Sequence, residues 1–492
     1  MTPILLYFVT LTILLVNTLY GGPFLNGSDI HVEAYFAQHA VSGWDASLPY
    51  QVNSCMGVTV LTPLLARYLN IDPVWALKIL FPLLFSFVPV ILYFIYKKYL
   101  PKTQAVIAVA LFIAIPTVTM ELGAITRQQL AEVFLALFFA LLLMRIKPVY
   151  RYPLLAVAGA GVILSHYSLG WILLMIYLLY SLVMLFRQAR LHMVVLTGLA
   201  CLAVIYYGAV AGGTPLKSFT DFLPFKTHIQ ISGFEIGAGK SALTPTSVES
   251  TVKTYDLTMQ SALGLDFGAS SSLGKVFRAI QLFTEILLII GFGYFIFRFK
   301  KLKFPFEYLI LAVISALLLL VCIFVPGFSS ILNATRWYHI ALFILSPMFV
   351  LGGMVVLRNI KTVGALIIVY ALFTTGIVFE LAKIDRIDRP DLPYSVGLSD
   401  YRMNLSGHFT QKDAQVREWL KSSDCKIIYA DYYGVLFLQE AIYADKEIRN
   451  LPEDMKVPVD SYIFLSEYNK STKTISSWAG TASRRMVEIG GN

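Results

Sequence analysis

Two carboxylates, Asp29 and Glu33, stand four residues apart in a polar stretch that follows the first apolar segment of the chain. If this stretch is helical, both side chains lie on one face of the helix. Such a pair can supply a general base to a sugar hydroxyl, or oxygen ligands to a divalent cation. The structural alternative is a helix cap made by Ser28 or Asp29, with Glu33 in solvent. His31 points to the opposite side of such a turn and is expected at the surface.

Three further residues, Arg127, His166 and Arg336, carry groups that bind phosphate. An arginine can grip a phosphate with two parallel hydrogen bonds, which a lysine cannot do. A histidine can donate a hydrogen bond or titrate near neutral pH. Each also has a structural interpretation. Arg127 can pair with Glu121 or Glu132, His166 can be a packing residue, and Arg336 can reach to lipid headgroups.

The elements that must position these residues are apolar helices. The chain has 492 residues, of which 57% are hydrophobic and 14% charged, whereas soluble proteins are about 25% charged. Apolar runs of about 20 residues recur along it, and each can cross a ~30 Å hydrocarbon layer as a helix. This composition predicts an all-α polytopic membrane protein. It excludes a disordered chain, a disulfide scaffold and an outer-membrane barrel.

We predict about eleven transmembrane helices. They cover 3–20, 74–96, 104–120, 130–144, 153–164, 169–186, 191–210, 277–297, 306–325, 337–357 and 362–381. Five connections contain Lys and Arg but no Asp or Glu, namely 97–102, 145–151, 187–190, 298–303 and 358–361. Such loops are typical of the cytoplasmic side, so the N-terminus is predicted inside and the C-terminus outside. The net charge of +9 therefore arises largely from loops, and no nucleic-acid partner is predicted.

One stretch, 153–186, is compatible with either one long tilted helix or two helices that meet at Ser165-His166-Tyr167-Ser168. A single helix would place the basic loops 145–151 and 187–190 on opposite sides of the membrane. The charge pattern therefore favours two helices.

Three long segments, 21–73, 211–276 and 382–492, are predicted on the outer side. Within the first, 56–69 is apolar but too short to span, which indicates an interfacial helix. The second is rich in Gly, Ser and Thr and is predicted to be a long loop. We divide the chain into a transmembrane domain, 1–381, and a small extracytoplasmic α/β domain, 382–492, that caps the outer face. Its predicted elements are a helix at 412–421, a strand at 425–431, a helix at 433–443 and a strand at 462–467.

This layout resembles the GT-C superfamily of polyprenyl-phosphate-sugar-dependent glycosyltransferases. The resemblance lies in the acidic turn with Asp29 and Glu33 after the first helix, the interfacial helix, the number of spans and the outer C-terminal domain. It implies inverting transfer of a sugar from a polyprenyl-phosphate-linked donor to a lipid, glycan or protein acceptor. The reaction would take place at the outer face of the cytoplasmic membrane, among membrane lipids.

The resemblance also implies roles for the residues singled out above. Asp29 would act as base or metal ligand, with Glu33 second, and any cation held there would be Mg²⁺ or Mn²⁺. Arg336, Arg127 and His166 would face the donor phosphate.

Two other classes of protein remain open. A polysaccharide polymerase or ligase that uses lipid-diphosphate-linked glycans would depend on the 211–276 loop rather than on Asp29. A transporter or flippase would need a polar path through the membrane. Glu132, Glu285 and Glu307 are the acidic residues predicted within or at the ends of spans.

Overall fold

The structure is a computed structural model of the chain. It describes residues 2–19, 22–25, 27, 29–48, 50–187, 189–217, 263–265, 272–325, 328, 334–382, 409–440, 446–452, 456–477 and 485–488. Most of the predicted 211–276 loop and the first part of the predicted C-terminal domain lie outside these residues.

Helices make up the apolar part of the chain. They are α1 Thr2–Leu19, α2 Asp29–His39, α3 Thr62–Leu69, α4 Pro73–Phe85, α5 Phe87–Tyr96, α6 Lys102–Ala114, α7 Thr126–Leu143, α8 Pro148–Ser165, α9 Tyr167–Leu185, α10 Leu191–Ile205, α11 Ser272–Arg298, α12 Phe306–Phe324, α13 Ala334–Val356, α14 Ile360–Thr374 and α15 Ile377–Leu381. In the described part of the chain, nine helical segments are long and apolar enough to cross a membrane, with α4 and α5 counted as one. The prediction of a multi-pass helical membrane protein is confirmed.

Ten of the eleven predicted spans coincide with long apolar helical segments, and one of these is bent. The prediction for 362–381 is wrong in its extent, because α14 has only 15 residues and the chain breaks at Thr375 and Gly376 before α15. The span predicted at 104–120 consists of α6 and a second helical piece, Thr117–Ala124, at 50° to it. The break lies at Ile115, which is extended because Pro116 disfavours helical dihedrals in the residue before it. If this pair is one span, the described residues contain ten. The stretch 153–186 forms two helices, α8 and α9, as the charge pattern predicts.

The bundle is built around α13, which is buried over most of its length. Helix α11 crosses it at Gly291 and Gly352. A Cβ added to Gly291 would lie 1.6 Å from the Met348 carbonyl oxygen, and one added to Gly352 would lie 1.8 Å from that of Leu287. Only glycine allows this approach of the two backbones, as is common between membrane helices. The close packing fixes α13, and its first turn carries Arg336.

A small α/β unit follows near the C-terminus. Strands β1 Ile427–Ala430, β2 Glu447–Asn450 and β3 Tyr462–Phe464 form a parallel sheet in the order β2-β1-β3. The other elements are α16 Gln411–Ser422, α17 Tyr432–Gln439, α18 Glu467–Thr472 and an antiparallel pair, β4 Thr474–Ser477 and β5 Arg485–Glu488. Two predicted helices and two predicted strands are found here. However, Glu467 begins a helix rather than ending a strand, because Ser466 and Asn469 form a capping box.

This α/β unit packs on α2, which corrects the expectation for His31. His31 is buried, and its Nδ1 lies 2.9 Å from Glu440 Oε2 at the end of α17. Phe24 and Phe409 pack on Phe437 of α17, with ring centroids 6.2 and 3.9 Å apart. The face of α2 that sequence analysis assigned to solvent is therefore an interface with the C-terminal unit.

Candidate functional site

A glycine places the start of α2 against the start of α7. Gly27 has a φ of +108°, and a Cβ there would lie 2.5 Å from Cβ of Ala124. Both the dihedral and the close contact require glycine. The chain can therefore pass directly over the turn that precedes α7. As a result, Asp29 and Glu33 lie on the side of α2 that faces Arg127.

Glu33 is fully buried, and each of its oxygens accepts two hydrogen bonds. Oε1 accepts from Nη1 of Arg127 at 2.6 Å and from its backbone N–H at 3.3 Å. Oε2 accepts from the backbone N–H of Thr126 at 2.9 Å and from its hydroxyl group. The carboxylate thus satisfies the first free N–H groups of α7 and pairs with its arginine. Burial raises the pKa of Glu33 above its usual value, against the opposite effect of Arg127.

Asp29 is the reachable carboxylate of the pair, because 37% of its side chain is exposed. Its Oδ2 lies 3.3 Å from Nη2 of Arg127 and 3.5 Å from Nη2 of Arg336. Burial of the carboxyl group raises its pKa, but the two guanidinium groups lower it by more, so the pKa of Asp29 lies below its usual value. Asp29 is therefore an ionised carboxylate held by two arginines.

Arg336 joins Asp29 to a third carboxylate, Glu121. Nε of Arg336 lies 3.4 Å from Glu121 Oε2, and 19% of the arginine side chain is exposed. Glu121 belongs to the bent piece before α7, and Thr117 of that piece donates a hydrogen bond to the Thr335 carbonyl oxygen at 3.2 Å. We call Asp29, Glu33, Glu121, Arg127 and Arg336 the arginine–carboxylate cluster.

The cluster does not fit a cation shared by Asp29 and Glu33. The two terminal nitrogens of Arg127 each bind one of these carboxylates, so a guanidinium group bridges them where a shared cation would have to sit. Among the described residues, no group of three or more His, Cys, Asp and Glu side chains is placed to hold a metal ion. Chelation remains the direct test of metal dependence.

His166 lies between α8 and α9 and is buried. Its Nδ1 accepts a hydrogen bond from the backbone N–H of Leu169 at 3.4 Å, which caps α9. Burial lowers the pKa of His166 well below its usual value, and Arg127 and Arg336 lower it further. The imidazole is thus neutral, with its proton on Nε2. Within the described residues this Nε2 has no hydrogen-bond partner, and no hydrogen bond joins His166 to the cluster.

The structure brings together four of the five residues that sequence analysis selected, and it adds two. Glu121 pairs with Arg336 rather than Arg127, and Thr126 binds Glu33. The sequence signal that could have indicated Thr126 is a hydroxyl residue directly before Arg127, in the short connection between two predicted spans. Glu132, the other partner considered for Arg127, lies 2.7 Å from His339 instead.

Comparison with known families identifies the family to which the chain belongs. Residues 151–488, more than half of it, match the family described as predicted membrane protein (DUF2206). The chain belongs to the DUF2206 family. The matched part of this DUF2206 protein begins in α8 and includes His166, Arg336 and the C-terminal α/β unit, whereas Asp29, Glu33 and Arg127 precede it. Comparison with curated proteins finds no match.

Proposed function

We propose that the chain is an integral-membrane glycosyltransferase that uses a polyprenyl-phosphate-linked sugar donor. The proposal is supported chiefly by the partly exposed carboxylate of Asp29, on which two arginines converge. Transfer from such a donor needs cations that stabilise the departing phosphate and one base for the acceptor hydroxyl. The arginine–carboxylate cluster contains both kinds of group.

In the proposed mechanism, Arg127 and Arg336 exchange Asp29 for the donor phosphate. A phosphate competes well for a guanidinium group because it is anionic and accepts two parallel hydrogen bonds. The two guanidinium groups that lower the pKa of Asp29 then pair with the phosphate instead. The pKa of Asp29 rises as a result, and the carboxylate becomes a stronger base once the donor is bound. Donor binding thereby activates the base.

The transfer step then inverts the anomeric carbon. Asp29 takes the proton of the acceptor hydroxyl, whose oxygen bonds to that carbon as the bond to the phosphate oxygen breaks. The phosphate leaves with the electron pair and stays bound to the two arginines. Glu33 holds Arg127 in place and does not touch substrate, since both its oxygens are occupied. His166, whose Nε2–H has no hydrogen-bond partner among the described residues, is proposed as a further donor to the phosphate.

The same proposal places the cluster at the outer face of the cytoplasmic membrane, from the basic loops between helices. The described helix α3 and the turn before it, Gly57–Leu69, match the predicted interfacial helix. Leu64, Tyr68 and Leu69 are exposed there. An apolar surface of this kind suits the boundary between headgroups and acyl chains, where the lipid donor lies.

A donor panel tests this function. Purified protein is incubated with acceptor-containing membranes and radiolabelled hexoses or pentoses carried on polyprenyl monophosphate or polyprenyl diphosphate. We expect label to leave a monophosphate donor with release of polyprenyl phosphate. Transfer from diphosphate-linked glycans alone would support the polymerase or ligase class instead. Movement of intact lipid-linked sugar across a vesicle membrane without transfer would support the flippase class.

Arg336→Lys is expected to lower kcat/KM for the donor by about ten-fold, the scale of one lost hydrogen bond to a charged group. The lysine keeps the charge but cannot form the forked contact with phosphate. The matched control is Arg67→Lys on the exposed side of α3, which should leave kcat/KM unchanged. Full turnover by Arg336→Lys would show that Arg336 does not form a forked contact with the donor phosphate.

A further inference from the structure

A hydrogen bond deep in the bundle joins the two helices that carry the arginines of the cluster. Nε2 of His339 on α13 is hydrogen-bonded to Oε2 of Glu132 on α7 at 2.7 Å. Both side chains have 0% exposure. A carboxylate buried at membrane depth is costly, so such a residue commonly has a function.

Each partner follows an arginine of the cluster along its own helix. Glu132 comes five residues after Arg127, and His339 comes three residues after Arg336. With a rise of 1.5 Å per residue, the hydrogen bond lies about 5–8 Å along the helices from the two arginines. The hydrogen bond therefore lies close enough to both arginines to fix the distance between them.

Neighbouring groups hold the link in one geometry. Gln128 donates to the second oxygen of Glu132, Oε1, at 2.8 Å. The ring of Phe112 packs against the His339 imidazole, with centroids 4.7 Å apart. A buried pair of this kind contributes little net stability compared with apolar residues of similar size. The Glu132–His339 pair is therefore better suited to fixing the relative positions of α7 and α13 than to stabilising the fold.

We propose that Glu132 and His339 are positioning residues that hold Arg127 and Arg336 at the separation a bound phosphate requires. The inference rests on the proposed function, because the ligand is the phosphate of the lipid donor. It extends that function to a pair of residues that touch neither the donor nor the cluster.

The test is the double variant Glu132→Leu/His339→Leu, probed with a polyprenyl monophosphate alone. Apolar replacement of both partners is often neutral or stabilising, so the melting temperature in detergent should not fall. The Kd for the lipid should nevertheless rise about ten-fold or more, because small displacements of binding groups are costly. His339→Gln keeps an N–H donor toward Glu132, and its Kd should stay close to that of the wild type.

The matched control removes a buried hydrogen bond remote from the arginines. The hydroxyl of Tyr177 on α9 lies 3.0 Å from Nδ1 of His192 on α10, and Tyr177→Phe should leave the Kd unchanged. If the leucine pair does not fold, Glu132→Gln/His339→Leu replaces it under the same criterion. Wild-type affinity in the double variant would overturn the positioning role alone. Failure of the wild-type protein to bind the monophosphate would overturn the proposed function and this inference with it.

Discussion

Asp29→Asn is expected to lower sugar transfer by about 10²-fold or more, the usual contribution of a general base. Asparagine has the shape of aspartate but cannot accept the proton of the acceptor hydroxyl. Folding should be retained, because Arg127 keeps its contact with Glu33 and Arg336 keeps its contact with Glu121. Binding of polyprenyl monophosphate should be unchanged or tighter, since the carboxylate that competes for the arginines is gone.

The control for this variant is Asp45→Asn, an exposed carboxylate in the same outer segment, which should keep full activity. The pH dependence gives a second readout. The acidic limb of kcat/KM reports free Asp29 and should lie below the usual aspartate pKa of about 3.9. The acidic limb of kcat reports Asp29 in the donor complex. It should lie at higher pH than the limb of kcat/KM, because the two arginines then pair with the phosphate. Wild-type transfer by Asp29→Asn would show that Asp29 is not the base.

Arg127→Met is expected to lower the free energy of unfolding by about 3–5 kcal/mol, the cost of leaving a buried charge without its partner. The charge is that of Glu33, whose side chain has no exposure. The double variant Arg127→Met/Glu33→Gln should recover most of this loss, since a neutral amide keeps contacts with Thr126 without a buried charge. Thermal unfolding in detergent measures both variants.

Arg336→Met is the comparison variant for Arg127→Met. Arg336 is partly exposed and pairs with carboxylates that are also partly exposed, so its removal should cost only about 0–1 kcal/mol. Equal destabilisation by Arg127→Met and Arg336→Met would contradict the assignment of Arg127 and Glu33 as a buried pair.

The sequence predicted the helices well because a membrane span must be both long and apolar. It missed the bend in 104–120 and the break in 362–381, because Pro116 and Gly376 interrupt the helices without making the apolar runs less hydrophobic. It missed β2, whose residues Glu-Ile-Arg-Asn lack the apolar alternation of a half-buried strand.

The candidate site was only partly predictable. Residue type and position selected Asp29, Arg127 and Arg336, but the partner of each depends on contacts between distant segments. Thus Glu33 is buried under α7, His31 under the C-terminal unit, and Glu132 against His339. Local sequence could not indicate these contacts, because they join segments as far as 409 residues apart.

Electron cryo-microscopy of the protein with a saturating polyprenyl monophosphate tests binding of the donor phosphate at the arginine–carboxylate cluster, because it requires neither the sugar nor the acceptor to be known. We expect phosphate density within hydrogen-bond distance of the Arg127 and Arg336 guanidinium groups, with Asp29 released from at least one of them. Phosphate density elsewhere, or an Asp29 still paired with both arginines at saturating lipid, would contradict this expectation.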